Sequence, residues 1–189
     1  MTMKPKPWKI LRSSRDSSYH VFSIRTDHAL SPRTGASHDF YILESAPWVN
    51  VIAITNDEQI LLVRQYRHGL QDVTLEIPGG LVDPGDSPLV AAQKELRQET
   101  GYEASEWISL GSVHPNPAIQ SNECYTFVAK GAHRAGDLDL DDKEDISVVI
   151  KPLADVPQLI QNGEITHALI LAAFYRFYME YSPNGGERP

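Results

Sequence analysis

The sequence has little cysteine, no long apolar run and no excess of basic charge. Its single cysteine, Cys124, has no partner for an internal disulfide or a CxxC zinc site, and its apolar surroundings favour a buried, inert thiol. The longest strongly apolar stretch, residues 168–174, is far shorter than the roughly 18 residues of a membrane span. These absences exclude a disulfide scaffold and a membrane-spanning helix.

Charge and the N-terminus narrow the possibilities further. With 17 basic and 25 acidic residues the net charge is −8, and no basic run offers a footprint for nucleic acid. The first ten residues lack the apolar core of a signal peptide. We therefore expect a cytoplasmic protein with no membrane or nucleic-acid partner.

What the sequence does contain is typical of a globular protein. Its 189 residues suit one domain with an extension, because domains average roughly 150 residues. Residues 1–45 are polar and predict two strands, 19–25 and 39–44, around a turn at 31–35. Two strands alone are marginal in water, so we interpret this segment as an N-terminal antiparallel β extension.

Residues 46–181 predict the main domain. A hairpin is expected from residues 49–54 and 59–65, and a short strand at 74–77 ends at Pro78. Further strands are predicted at 107–114, 125–130 and 146–150, followed by helices at 155–162 and from a Thr166 cap to about 179. This pattern predicts an α/β (α+β) fold with a mixed sheet between helices, and residues 182–189 predict a flexible tail.

One further helix has clear boundaries. Ser87 is a suitable N-cap, Pro88 suits the first helical position and Gly101 lies just past the end. Leu89, Ala92 and Leu96 predict the face that packs on the core.

Two glutamates on this helix carry the functional argument. Glu95 and Glu99 are four residues apart, so both carboxylates project from one face and repel each other by a few tenths of a kcal/mol. A divalent cation reverses the sign of that interaction, and Mg²⁺ is typically held by one or two carboxylates with substrate phosphates. The alternative interpretation is an ordinary solvated helix face behind an ordinary Gly79-Gly80 turn.

The segment that begins at Gly80 resembles the Nudix box, Gly-x5-Glu-x7-Arg-Glu-U-x-Glu-Glu-x-Gly-U, in which U is apolar. The matching positions are Gly80, Glu95, Leu96, Glu99 and Gly101. Three positions depart from the box: Asp86 stands for Glu, Lys94 for Arg and Gln98 for Glu.

Other segments resemble the ADP-ribose pyrophosphatase branch of this family. Residues 63–67 and 76–80 resemble the approach to the box. Pro117 lies 16 residues beyond Gly101, where that branch has a proline, and residues 143–146 resemble its acidic loop. Residues 163–168 resemble the start of its last helix. The resemblance covers about residues 20–180.

The resemblance implies a Nudix fold and a metal-dependent pyrophosphatase that acts on a small-molecule nucleoside diphosphate sugar. Its implied catalytic residues are Glu95, Glu99 and Glu144, with Glu144 as general base and Asp142 or Asp145 as substitutes. Mg²⁺, or alternatively Mn²⁺, would be held by Glu95, Glu99 and the Gly79 carbonyl. The implied substrate contacts are Arg67, Glu76, Glu123 and Pro117. The branch also implies a homodimer built with the N-terminal strands.

Two alternatives remain at this point. The substrate could be GDP-mannose or another nucleotide sugar, since base selection depends on loop geometry. The three box departures favour a catalytically weak domain that binds a nucleotide as a sensor, whereas the retained glutamates oppose it. Outside the box, Trp48 and His167 favour packing and structural roles.

Overall fold

The computed structural model describes residues 4–140 and 145–181, which group into two units. The smaller unit comprises residues 4–46 and 114–122. Its antiparallel sheet contains β1 (Lys9–Ser18), β2 (Phe22–Leu30) and β3 (Ser37–Ser45) in that order. The sequence predicted two of these strands and missed β1, whose Ser- and Arg-rich residues lack the alternation of a half-buried strand.

Polar contacts within and between the strands stabilise this small sheet. Asp27 is buried, and its carboxylate accepts hydrogen bonds from Ser13 Oγ at 2.6 Å and Arg25 Nε at 3.0 Å. Arg25 also pairs with Glu44. Segment 114–122 joins β3 through the Leu43 N–H, which donates to the Ile119 carbonyl at 2.7 Å.

The larger unit comprises residues 47–113 and the described part of 123–181, and it contains an eight-stranded sheet. The strands are β4 (Trp48–Thr55), β5 (Gln59–Arg67), β6 (Asp72–Glu76), β7 (Gly79–Leu81), β8 (Tyr102–Glu103), β9 (Glu106–Val113), β10 (Cys124–Arg134) and β11 (Ile146–Pro152). The central order is β11-β5-β4-β10-β8, with β6 on β5, β7 on β4 and β9 on β10. Only the β4–β10 pairing is parallel among these, so the sheet is mixed as predicted.

Helices cover both faces of this sheet. They are α1 (Pro88–Thr100), α2 (Val156–Gln161), which follows a 3₁₀ turn at Leu153–Asp155, and α3 (Ala168–Tyr181). Ala92 and Leu96 of α1 pack with Val51 and Leu61, whereas Phe174 of α3 packs with Ile52 on the other face. Alternate residues of the same strands therefore enter opposite cores, which confirms the prediction of a mixed sheet between helices.

The ends of α1 match the sequence prediction, but its buried face does not match completely. Ser87 Oγ accepts a hydrogen bond from the Val90 N–H at 3.3 Å, and Gly101 ends the helix with a φ of 73°. Leu89 was wrongly predicted in the core and is 37% exposed. The buried stripe is centred between Ala92 and Glu99, so Leu89 falls at its edge.

The start of α3 also differs from the prediction. The N–H groups of Ile170 and Leu171 donate to the His167 carbonyl at 3.0 Å each, and His167 Nδ1 accepts from the Leu169 N–H at 3.2 Å. The helix cap is therefore His167 and not Thr166. Across residues 4–140 and 145–181, no helix is long and apolar enough to cross a membrane. Glu144, Asp142 and the predicted tail at 182–189 lie outside the described residues.

Candidate active site

The two box glycines bring a strand unusually close to its neighbours. In β7, Gly79 pairs with Asn50 and Gly80 pairs with Val49 of β4. A Cβ on Gly79 would collide with the Val49 carbonyl oxygen, and a Cβ on Gly80 would collide with the Glu95 carboxylate. These positions thus require glycine because backbone and carboxylate occupy the space of a side chain.

Glu99 is not on a solvated helix face. It is 3% exposed, and its Oε2 accepts a hydrogen bond from the Gly79 N–H at 2.9 Å. Glu95 is half-buried and lies against Gly80. The structure thus brings the two predicted carboxylates onto consecutive residues of one strand, which rejects the solvated-face interpretation for Glu99.

This donor set fits a divalent cation of the magnesium type. Among the described residues, no group of three or more His, Cys, Asp or Glu side chains is arranged to hold a metal ion. Mg²⁺ needs only one or two carboxylates when water and substrate phosphates complete its shell. Glu95 and Glu99 meet that requirement. The structure assigns the Gly79 N–H to Glu99, while the Gly79 carbonyl as a ligand stays a prediction.

Arg67 and Glu76, both predicted substrate contacts, pair with each other. Arg67 Nε and Nη2 donate to the two Glu76 oxygens at 2.8 and 2.7 Å, and Thr74 Oγ1 donates to Glu76 Oε1 at 2.6 Å. Glu76 is 3% exposed. Burial alone would raise the pKa of Glu76, but the hydrogen bonds from Arg67 and Thr74, with the positive charge of Arg67, lower it overall. The buried carboxylate therefore stays ionised and holds the guanidinium in one plane.

The two glycines and the Arg67–Glu76 pair line one cavity of about 440 Å³ in the larger unit. Its lining combines β7, the glycine strand, with the Arg67–Glu76 ion pair, two histidines and apolar side chains. The lining residues are Trp48, Val49, Asn50, Arg67, His68, Gly69, Glu76, Ile77, Gly79, Gly80, Leu81, Cys124, His167 and Leu169. Burial raises the pKa of the Cys124 thiol to about 12, which agrees with the predicted inert thiol.

Sequence reasoning gave no site role to His68 or Asn50 at this cavity, and it gave His167 a structural role only. His68 could have been found because it directly follows Arg67 at the end of β5. Neither Asn50 nor His167 has a local signal, since β4 and the start of α3 are far apart in sequence. They meet where Asn50 Nδ2 donates to the Leu169 carbonyl at 3.3 Å.

Glu123 and Pro117, two further predicted site residues, each lie among local hydrogen bonds. Glu123 precedes β10, and its two oxygens accept hydrogen bonds from Ser112 Oγ and Tyr125 Oη, both at 2.8 Å. Pro117 belongs to the smaller unit, in a turn where the Gln120 N–H donates to the Asn116 carbonyl at 2.8 Å. The roles of Glu123, Pro117 and Glu144 stay predictions.

Two of the three box departures pair with each other. Lys94 Nζ lies 2.5 Å from Asp86 Oδ2 and 3.8 Å from Asp83 Oδ2. The pairing raises the pKa of Lys94, chiefly through the hydrogen bond to Asp86. Asp86 and Lys94, which stand where the box has Glu and Arg, thus form an ion pair between the loop before α1 and the helix.

Comparisons with known proteins identify relatives of this chain. The chain is 31% identical over 158 residues to the methanol dehydrogenase activator of Bacillus methanolicus, which covers 83% of this chain and 85% of that protein. It is 28% identical to the ADP-ribose pyrophosphatase of Mycobacterium tuberculosis, with 80% and 74% covered. It is 29% identical to the ADP compounds hydrolase NudE of Escherichia coli, with 63% of each covered.

A solved structure supports the same fold. The crystal structure of an ADP compounds hydrolase superposes with a TM-score of 0.84 at 22% identity, covering 97% of this chain and 99% of that one. The family model of the NUDIX domain matches residues 45–174, which include the glycine strand and both helix carboxylates. The chain therefore belongs to the Nudix family.

Proposed function

We propose that this protein hydrolyses the diphosphate linkage of ADP-ribose or a related nucleoside diphosphate sugar, giving a nucleoside monophosphate and a sugar phosphate. The observation that carries the proposal is the placement of the Glu95 and Glu99 carboxylates on Gly79 and Gly80, which also line the 440 Å³ cavity. The relatives named for hydrolysis of ADP-ribose and ADP compounds support this substrate class.

Glu95, Glu99 and the Gly79 carbonyl would hold Mg²⁺, with Mn²⁺ as the alternative. When bound, the cation supplies charge neutralisation of the diphosphate. The buried Glu99 is fixed by its hydrogen bond from Gly79, so its carboxylate is oriented before substrate arrives. Glu95 is held against Gly80, where the missing Cβ leaves room for it.

Hydrolysis requires a base and a positioned diphosphate. Glu144 takes a proton from the attacking water while the water oxygen forms a bond to phosphorus. The bond between that phosphorus and the oxygen of the leaving phosphate breaks in the same step. Arg67 contacts substrate at the cavity wall, and Glu76 sets the orientation of its guanidinium. Glu123 and Pro117 are proposed as further substrate contacts.

We also propose that the chain acts as a cytoplasmic homodimer, with residues 1–45 as the dimerisation extension and 46–181 as the catalytic domain. Supporting this, Ile10 and Tyr41 of the three-stranded sheet, and Trp8 just before it, are exposed apolar side chains. Sedimentation of the full chain and of a Tyr41→Glu variant tests the assembly. A wild-type monomer at micromolar concentration would reject it.

Product analysis tests the reaction. The protein is incubated with ADP-ribose and Mg²⁺, and products are identified by mass spectrometry. AMP and ribose 5-phosphate, lost with chelator and in Glu99→Gln, are the expected result. Intact ADP-ribose with cleavage of GDP-mannose or another nucleotide sugar would change the substrate and keep the chemistry. If none of these nucleotide sugars is cleaved with either Mg²⁺ or Mn²⁺, hydrolysis is rejected. The alternative of a domain that binds a nucleotide as a sensor would then stand.

A further inference from the structure

His167 lies at the cavity in an arrangement that separates the two nitrogens of its ring. Nδ1 accepts the hydrogen bond from the Leu169 N–H at 3.2 Å, so it carries no proton in this arrangement. The single ring proton of the neutral side chain is then on Nε2. Because the ring lines the cavity and Nδ1 faces the helix backbone, Nε2 is the nitrogen left for a ligand.

The position of this ring is fixed relative to the glycine strand. Asn50 Nδ2 donates to the Leu169 carbonyl at 3.3 Å, while the Leu169 N–H donates to His167. Asn50 in turn pairs with Gly79 across β4 and β7. The backbone of Leu169 therefore links the His167 imidazole to Asn50, which pairs with the strand that contacts Glu99. These contacts fix the position of the His167 side chain relative to β7.

The surrounding charge fits an anionic group near this ring. Glu76 is already matched by the bidentate Arg67, so the buried carboxylate does not leave a net negative wall. His68 and Arg67 line the same cavity and add N–H donors to that of His167. A phosphate oxygen is an acceptor that suits such donors.

We infer that His167 is a substrate-positioning residue whose Nε2–H donates to a phosphate oxygen of the substrate, while its Nδ1 caps α3. This inference rests on the proposed function. It goes beyond a structural role because the cap needs only one ring nitrogen.

The test separates the two roles of the side chain. His167→Asn keeps an N-cap, since asparagine is among the best capping residues, but its shorter side chain lacks the imidazole ring and its Nε2–H. His167→Ala removes both. His133→Asn is the matched control, because His133 is exposed on β10 outside this cavity. Steady-state kinetics with ADP-ribose, binding of ADP-ribose and adenosine in EDTA by calorimetry, and thermal unfolding are measured for each variant.

For His167→Asn we expect the KM for ADP-ribose to rise about tenfold with kcat nearly unchanged, as for loss of one charged hydrogen bond. Affinity for ADP-ribose in EDTA should fall similarly, and affinity for adenosine should not change. The Tm should stay within about 2 °C of wild type, whereas His167→Ala should lose a further 2–4 °C, roughly. His133→Asn should match wild type in every measurement.

Wild-type binding and kinetics in His167→Asn would overturn the inference while leaving the proposed function intact. An equal loss of adenosine affinity would overturn the assignment to phosphate. A wild-type protein that cleaves no nucleotide sugar would instead reject the proposed function, and this inference with it.

Discussion

The two faces of α1 differ in how closely they keep the Nudix box. On the inward face, Leu96 is fully buried and Glu99 is 3% exposed, and both match the box. On the outward face, Lys94 and Gln98 are exposed, and both depart from it. On this helix the departures from the box are solvent-exposed side chains, whereas the matching residues are buried. The number of mismatches therefore overstates how far the buried site differs from that of the family.

The comparison extends to the loop before α1. Asp86 is shorter than the glutamate of the box, yet it pairs with Lys94 at 2.5 Å. Two departures therefore share one contact near the surface. Such pairs contribute little to stability in solvent, which is why this region tolerates different acids and bases.

The largest expected effect comes from breaking the inward face at Glu99. Glu99→Gln keeps an oxygen that can accept the Gly79 N–H but removes the negative charge, so the fold should persist. Turnover of ADP-ribose should fall on the order of 10³-fold, as when a main electrostatic group is lost. Steady-state rates at saturating Mg²⁺, with circular dichroism as the folding check, measure this. A variant within tenfold of wild type would show that Glu99 is not a main metal ligand.

The two glycines of β7 offer the next test, because the same substitution meets different obstacles. In Gly80→Ala the methyl group meets the end of the Glu95 side chain, which can swing away. We expect activity to fall about 100-fold with little change in Tm, since a ligand moves and the backbone does not. In Gly79→Ala the methyl group meets the Val49 carbonyl, which cannot move cheaply, so stability should fall by about 2 kcal/mol or more.

Denaturant unfolding and ADP-ribose kinetics on both alanine variants measure the contrast. Equal stability of the two variants would contradict the explanation that Gly79 is required by the Val49 backbone and Gly80 by the Glu95 side chain.

A smaller effect is expected at the ion pair of the cavity wall. Glu76→Gln weakens the contact with Arg67 and should cost about 1–2 kcal/mol at neutral pH, a value reduced because Arg67 is partly exposed. The folded-state pKa of Glu76 is lowered, so its ionised form stabilises the protein above the unfolded-state pKa. That contribution is lost as the pH falls through the folded-state value.

The stability difference between wild type and Glu76→Gln should therefore be greatest near neutral pH and shrink in acid. Urea unfolding at several pH values measures it. A difference that grows toward low pH would have the wrong sign and would reject the ionised pair.

The sequence predicted local features well and distant pairings poorly. Ser87, Pro88 and Gly101 define the ends of α1 because capping depends on neighbours a few residues away. The carboxylates of Glu95 and Glu99 follow from helical spacing. In contrast, β1 was missed because its outward polar residues form a strand only when β2 is beside it.

Contacts between distant segments also limit how much of the candidate site the sequence can predict. That Arg67 pairs with Glu76 depends on the register of β5 and β6, which the sequence does not specify. The place of His167 depends on α3 docking beside Asn50. Its role as a helix cap was hidden because Thr166 is the stronger capping residue by type.

The smallest expected effect comes from restoring the box on the outward face. Lys94→Arg and Gln98→Glu recreate two of the three missing box residues, and both positions are exposed. Lys94→Arg keeps a cation beside Asp86, and Gln98→Glu adds a charge that solvent screens. We expect ADP-ribose turnover within about threefold of wild type for each variant, since exposed substitutions rarely alter a buried site. A gain of tenfold or more in kcat, measured with the Mg²⁺ concentration varied, would mean that the outward face limits catalysis and that the departures weaken this enzyme.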